Sequence, residues 1–424
     1  MTSAGAYPRD VLIVTQYFAP EPGAPSVRYE AIVRTLVGLG VRVEVLTGIP
    51  NYPTGRVHPG YQAWRPRVER REGVTVRRLP LFPYGGANKW LRLLNHASFP
   101  TSALAGLLTG TRADLVIVES PPLPLVVAAA AIARLRGAPL VMFCADLWPD
   151  APLAMGALRP GFVADRLRQL ESLAYRLSWR ITVPTDGLFA ALAAHPDAGP
   201  GKLLLLPNGV DPEVFRPYDR AVCEPQRARL APLDERALFV YAGTIGHAQA
   251  LDVILDAADR LRADERIGFT LIGDGPERPR LEARAAALGL DNVLFTGAVP
   301  PHEVARYLAF ARATIAPLRD VALFRATRPA KVLPSLACGV PVIFAGRGEM
   351  GELLEREGCG VVVPPEDPAA LAAAAADLAG RPDHARALGE RGRAYALREL
   401  DFSALVRRWW ETLSAALPPR ARGS

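Results

Sequence analysis

Short β-branched apolar runs alternate with helix-like stretches along this chain, in two series separated by a punctuated segment. The first series is VLIVT from Val11, VRVEVLT from Val41, LVIV from Leu115, PLVMF from Pro139, ITV from Ile181 and LLLL from Leu203. Between several of these lie Ala- and Leu-rich stretches such as Tyr29 to Leu39 and Ala164 to Leu177. Strands and helices in strict alternation build a parallel sheet covered by helices. From Pro207 the segment PNGVDPEVFRPYDRAVCEPQRARLAPLDE has the Pro, Gly and charge of a linker. The alternation then restarts with LFVYAG at Leu238, FTLIGDG at Phe269, NVLFTG at Asn292, ATIAPL at Ala313, PVIF at Pro341 and GVVV at Gly360. The expected class is therefore α/β, with two doubly wound domains over residues 1–210 and 211–395. Residues 396–424 form a helical tail with adjacent Trp409 and Trp410. Two neighbouring Trp do not fit one narrow apolar stripe, so one is expected to pack on another domain or a membrane.

In open α/β sheets, ligands bind beyond the carboxyl ends of the strands. Glycines collect there in the second series: Gly243, Thr244 and Gly246 in YAGTIG, Gly273 and Asp274 in IGDGP, and Gly297 in TGAVP. Glycine lets backbone N–H groups approach a phosphate, and a helix N-terminus can face it. Neither the dinucleotide GxGxxG in its usual place nor GxxxxGK[ST] occurs, which leaves a Rossmann cofactor or a P-loop unsupported. The first series carries its own loops: YFAPEPGAPSVRYE with Gly23 and Arg28, GIPNYPTGRVHPGY with Asn51 and Tyr52, and CADLWPDA with Asp146 and Trp148. A carboxylate and an indole at a strand end can hold a polyol; Pro, Asn, Asp and Gly are also what plain turns use.

The stretch FRATRPAKVLPSLACGVPVIFAGRGEMGEL opens with Arg325, Arg328 and Lys331, spaced as cations on one side of a helical turn. A short apolar helix (Val332, Leu333, Leu336, Ala337) should follow, with Gly339 as its stop. Cations at a helix start oppose its dipole, so they mark either a bound anion or a solvated basic turn.

The formal charge of +7 (50 Lys and Arg against 43 Asp and Glu) is spread along 424 residues. No basic run interleaved with aromatics occurs, so the basicity fits an anionic ligand or a membrane surface and not a nucleic acid. Four scattered cysteines make no CxxC pair, and six scattered histidines make no metal-ligand spacing. The N-terminus lacks the pattern of a secretory signal, and LPLVVAAAAIARL from Leu123 is too short to span a bilayer. A cytoplasmic protein is expected. NKWLRLLNHASFPTSALAGLL from Asn88 reads either as an interfacial helix or as an ordinary packing helix.

Taken in order, YFAPEPGAPSVR, LTGIPNYPTG, ADLWPD, LPNGVDPEVFRP, YAGTIGHAQALD, LIGDGPE, FTGAVPPHEV, RPAK and LACGVPV resemble family 4 glycosyltransferases over nearly the whole length. The subgroup resembled builds O-antigen, capsule and other bacterial envelope polysaccharides. The resemblance implies a GT-B architecture, two Rossmann-like domains facing a cleft, with the last helix packing back on the first domain. It also implies a retaining enzyme that needs no metal and no cofactor. Its donor would be a nucleotide sugar, UDP-linked, held by the second domain. Its acceptor would be a saccharide, lipid-linked at the inner membrane face, held by the first. Carried over, Lys331, Arg325 and Asp146 would be catalytic. Gly243, Thr244, Gly246, Gly273, Asp274, Gly297, Val299 and Arg328 would line the donor, and Gly23, Arg28, Asn51 and Tyr52 the acceptor.

One departure stands out: the two glutamates that many members carry are Ala326 and Pro334 here. Glu349 or Glu352 is the expected substitute. Three other readings stay open: transfer to a soluble small-molecule acceptor, a sugar-nucleotide epimerase or hydrolase of the same fold, and a non-catalytic sugar-nucleotide-binding protein.

Overall fold

The computed structural model describes residues 9–418 apart from 22, 53, 87, 109–111, 155, 157 and 234, and apart from the side chains of 24, 89, 90, 92, 93 and 323. It divides into two compact units, Met1–Pro207 with Ser403–Ser424, and Asn208–Phe402.

The first unit holds an eight-stranded sheet in the order β3-β4-β2-β1-β5-β6-β7-β8. The strands are β1 (Asp10–Val14), β2 (Arg42–Gly48), β3 (Arg67–Arg71), β4 (Val74–Leu79), β5 (Leu115–Ser120), β6 (Leu140–Cys144), β7 (Arg180–Val183) and β8 (Leu203–Leu205). All pairings are parallel except the β3–β4 hairpin. Central strands covered on both faces have no polar face, so every residue of LVIVES and LVMFC is buried. The hairpin is absent from the sequence expectation because its strands, RVERR and VTVRRL, carry five arginines where an apolar run would be sought. Those charges suit an edge strand, since they discourage pairing with another chain. Its turn residues Glu72 and Gly73 both take positive φ, 48° and 82°, as a two-residue hairpin turn requires.

The second unit holds β9 (Ala237–Ala242), β10 (Ile267–Ile272), β11 (Val293–Gly297), β12 (Ala311–Pro317), β13 (Val342–Ala345) and β14 (Gly360–Val363), in the order β11-β10-β9-β12-β13-β14. All are parallel. Renumbered within the unit this is 3-2-1-4-5-6, the doubly wound order whose switch point lies between β9 and β12. The six runs of the second series all become strands.

Two expectations are corrected. The segment from Pro207 is not a loose linker: Val210, Phe215, Cys223, Leu230 and Leu233 are buried in the second unit's core, along with Tyr395 and Leu400. Its polar punctuation conceals an apolar residue every few positions, enough to anchor short turns and the helix Glu224–Leu230. The helix Pro382–Glu399 also runs through residue 396, so the expected division there falls inside a helix. The Trp pair packs as expected on the domain that comes first in sequence, since the tail helix from Ser403 onward is part of the first unit. In the helix Phe402–Ala415, Trp409 and Trp410 are 3% and 1% exposed, and Trp409 Nε1 donates to Thr182 Oγ1 of β7 at 3.1 Å. A broad buried face takes both rings. The four cysteines are buried and free.

Candidate functional site

Each sheet reverses strand order at one point, and each reversal gathers polar side chains. In the first unit the reversal lies between β1 and β5. Thr15, directly after β1, donates from Oγ1 to Glu119 Oε2 of β5 at 2.8 Å. The other carboxylate oxygen faces Arg28 Nη1 of the helix Ala24–Gly38 at 3.1 Å, and the guanidinium lies 4.3 Å from the centre of the Phe143 ring. Burial pushes the Glu119 carboxyl up to about 7; Arg28 and the Thr15 bond oppose this, while the charge of Asp146, exposed after β6, adds to it.

Beside this pair the loops after β1 and β2 are tied by Glu21. Its Oε1 accepts from the backbone N–H groups of Asn51 (2.7 Å) and Tyr52 (2.8 Å), and burial raises its carboxyl to about 7. The Tyr52 ring lies 5.3 Å from that of Tyr17. Gly23, at φ 130°, closes against Tyr52: a Cβ there would come within 3.3 Å of the ring. Gly23, Arg28, Asn51 and Tyr52 are thus brought together around Glu21 and Glu119, with Asp146 near enough to act on Glu119. Neither glutamate is among the sequence-predicted residues. The signal was there for Glu119, the one charged residue in an otherwise apolar run, at the carboxyl end of its strand.

In the second unit the reversal lies between β9 and β12. Lys331, immediately before the helix Val332–Ala337, donates from Nζ to the Tyr241 hydroxyl of β9 at 2.9 Å and sits 4.5 Å from that ring's centre. Tyr241 Oη in turn donates to the Thr244 carbonyl. The glycine loops stack backbone on backbone. Gly243 N–H donates to Ile272 O and Ile245 N–H to Asp274 O, both at 2.9 Å, and Gly273 N–H to Gly297 O at 2.9 Å. A Cβ at Gly273, whose φ is 144°, would fall 1.9 Å from Gly243 O. Gly243, Thr244, Gly273, Asp274 and Gly297 are therefore parts of one layered loop cluster, with Gly246 continuing the first loop. Val299 packs its side chain against the second unit's core.

The three cations do not share one helical turn. Arg325 lies in the 3-10 turn Ala322–Ala326 and pairs with Asp320 at 3.3 Å; Arg328 lies in the following loop and pairs with Glu349 at 3.2 Å. Pro329, between them and Lys331, disfavours αR at residue 328, and the helix starts only at Val332. Glu349 begins the helix Glu349–Glu357. Glu352 is exposed and lines a cavity of about 340 Å³ with Gly346, Gly348, Gly351 and Val362, whereas Glu349 is engaged by Arg328. Tyr241, the hub of this site, was missed. Its only sequence signal is a polar tip in the last turn of an apolar strand before a glycine.

Among the described residues no cluster of His, Cys, Asp and Glu is arranged to hold a metal ion, and no helix is long and apolar enough to cross a membrane.

The family models match in the order these two units predict. Residues 23–209 match the glycosyl transferase 4-like domain, and residues 236–381 match glycosyl transferases group 1. The chain is 28% identical over 408 residues to WcaI of Escherichia coli (strain K12), a glycosyl transferase assigned to colanic acid biosynthesis, covering 94% of this chain and 98% of that one. It is 27% identical over 404 residues to the D-inositol 3-phosphate glycosyltransferase of Geodermatophilus obscurus, covering 87% and 82%. Among solved structures, HepE of Anabaena in complex with UDP-glucose has the same fold, with a TM-score of 0.71 at 15% identity over 96% of this chain and 99% of that one. The chain belongs to the GT-B glycosyltransferases, with a family 4-like domain followed by a group 1 domain.

Proposed function

We propose that the protein transfers a sugar from a nucleoside diphosphate sugar, UDP-linked, to an acceptor hydroxyl with retention at the anomeric carbon. The acceptor in this reading is a lipid-linked saccharide of envelope polysaccharide synthesis, met at the inner face of the membrane. The observation that carries it is the Lys331 ammonium fixed at the switch point of the second sheet, against the Gly243 loop. The glycosidic carbon–oxygen bond to the diphosphate breaks, and a bond to the acceptor oxygen forms. The acceptor proton is lost, and the nucleoside diphosphate leaves with its new negative charge beside Lys331. A preorganised cation there acts more strongly as that charge develops than before. The resemblance to WcaI supports the envelope acceptor, and HepE, solved with UDP-glucose, supports the donor class. The likeness to a D-inositol 3-phosphate glycosyltransferase favours a second reading, a small soluble acceptor.

The test is a transfer assay with UDP- and GDP-sugars in EDTA, offered either membrane-extracted lipid-linked saccharides or inositol phosphates. Lys331→Ala should lower kcat/KM on the order of a hundredfold, and Lys331→Arg should recover only part, since a planar fork does not replace a compact ammonium. Undiminished turnover in a folded Lys331→Ala protein, or strict need for a divalent ion, would overturn the reading.

A further inference from the structure

We infer that Tyr241 is the positioning residue of the diphosphate site: its phenol holds the Lys331 amine uncompensated against the Gly243–Gly246 loop, so that an anionic ligand supplies the missing countercharge. This rests on the reading of Lys331 given above and adds to it a residue and a proton.

The geometry is a two-bond relay. The Tyr241 hydrogen is committed to the Thr244 carbonyl, so the phenol oxygen offers Lys331 a lone pair. The ring beneath the amine adds a cation–π contact without adding charge. A lysine on four free bonds would otherwise sample many positions. Tyr241 is fully buried in β9, so its hydroxyl is fixed by the sheet itself. A side chain at Gly243 would come within 3.5 Å of Lys331 Cε and 3.7 Å of Nζ, which places the loop backbone directly on the amine.

The neighbouring charges make the contrast. Arg325 faces Asp320, Arg328 faces Glu349 across the loop, and Arg278 faces both Asp274 and Glu282. Arg393, on the helix packed against Val332–Ala337, donates to the carbonyls of Phe215 and Ala337. His247 approaches Arg319, which also meets Glu366. Among the described residues no carboxylate lies within ion-pair distance of Lys331, which rests on a neutral phenol. Burial therefore acts on it unopposed and brings the ammonium down to about 7. A diphosphate arriving there raises it again, so binding above pH 7 takes up a proton and weakens as pH rises.

The experiment is calorimetric titration of the full chain with UDP in EDTA from pH 7 to 9. The terminal phosphate of UDP, with a pKa of about 6, is ionised in that range. Two buffers of different ionisation enthalpy count the protons. The native protein should take up a fraction of a proton, with affinity falling as pH climbs. Tyr241→Phe keeps the ring and removes the acceptor, which disfavours the ammonium. Its affinity should drop on the order of tenfold near pH 8, with the start of the pH-dependent loss moved to lower pH. A fold-only role would lower affinity evenly at every pH, and either that result or an unchanged profile overturns the inference. Lys331→Met separates the two claims. If it binds UDP as tightly as the native protein, the diphosphate reading itself fails; if it binds weakly and without pH dependence while Tyr241→Phe keeps the native profile, only the positioning role fails. Should Tyr241→Phe not fold, absence of proton uptake in the native protein overturns the inference alone.

Discussion

The Arg28 guanidinium lies 3.1 Å from the Glu119 carboxylate, and the two side chains are only 8% and 3% exposed. A pair so enclosed is costly to assemble and costlier to break, because removing one partner strands the other charge. Glu119 already stands near 7 and takes up a proton more readily once Arg28 is gone, so Arg28→Met should destabilise the protein little below about pH 6 and by up to about 3–5 kcal/mol well above pH 7. Adding Glu119→Gln should recover part of that, since a neutral amide can still accept from Thr15. Urea denaturation of the single and double variants measures both. A single variant within about 1 kcal/mol of the native protein well above pH 7 would mean that water already shares this site.

Glu21 gives stability a pH signature of definite sign. Its carboxyl stands near 7 in the folded protein against about 4.3 in an unfolded chain. The folded state holds the proton more tightly, so its contribution is complete below about pH 4 and is lost as pH rises through about 7. Glu119 and Glu171 are raised to about 7 by burial in the same way. Glu21→Gln retains an oxygen for the Asn51 and Tyr52 amides. The thermal midpoint should fall less steeply between pH 5 and 7.5 in this variant, by roughly a third of the native slope given three such groups. An identical slope would place the Glu21 titration elsewhere.

The parallel framework was legible because buried strands such as LVMFC and IGFTLI are continuous apolar runs with no competing pattern. The glycine loops were legible for the same local reason: positive φ and backbone contact demand glycine wherever the fold places it. What could not be read were relationships that only the sheet order creates. Tyr241 and Lys331 are ninety residues apart, and Thr15 and Glu119 more than a hundred. They meet because β9 adjoins β12 and β1 adjoins β5. The cation spacing at 325–331 misled because periodicity presumes a helix, and Pro329 delays the helix until Val332.

Gly273 tests how tightly the loop layers are pressed together. A methyl group there would collide with the Gly243 carbonyl oxygen, and both atoms belong to backbone fixed by neighbouring strands. With φ at 144° the residue is also in a region that L side chains avoid. Gly273→Ala should cost more than about 1 kcal/mol and reduce UDP binding as the Gly243 loop shifts. Gly380, at the end of the helix Pro368–Gly380, has open space where a Cβ would stand. Gly380→Ala should be neutral or stabilising by up to about 1 kcal/mol. Melting curves and UDP titration of the two variants provide the comparison, and equal effects would refute the contact argument.

The acceptor reading makes a demand on a different surface. In the helix Lys89–Ala103 and the 3-10 turn Leu104–Leu108 that follows, Leu91, Leu94, Leu104 and Leu108 are exposed, Leu108 at 89%. The side chains of Lys89, Trp90 and Arg92, which the interfacial reading of this segment also used, lie outside the described residues. Exposed leucines on a chain of net charge +7 are suited to an anionic bilayer, where apolar insertion and charge attraction add. The charge component is screened over about 10 Å at 0.1 M salt and about 3 Å at 1 M. Flotation with anionic vesicles should therefore recover the protein at low salt and lose most of it at high salt. Leu94→Glu with Leu108→Glu should abolish flotation at both, while the thermal midpoint and UDP binding stay unchanged, because neither leucine is buried. A protein that never floats would favour the soluble acceptor. One that floats equally at every salt concentration would mean that apolar burial alone holds it, and the net charge would have no part in bringing the enzyme to its substrate.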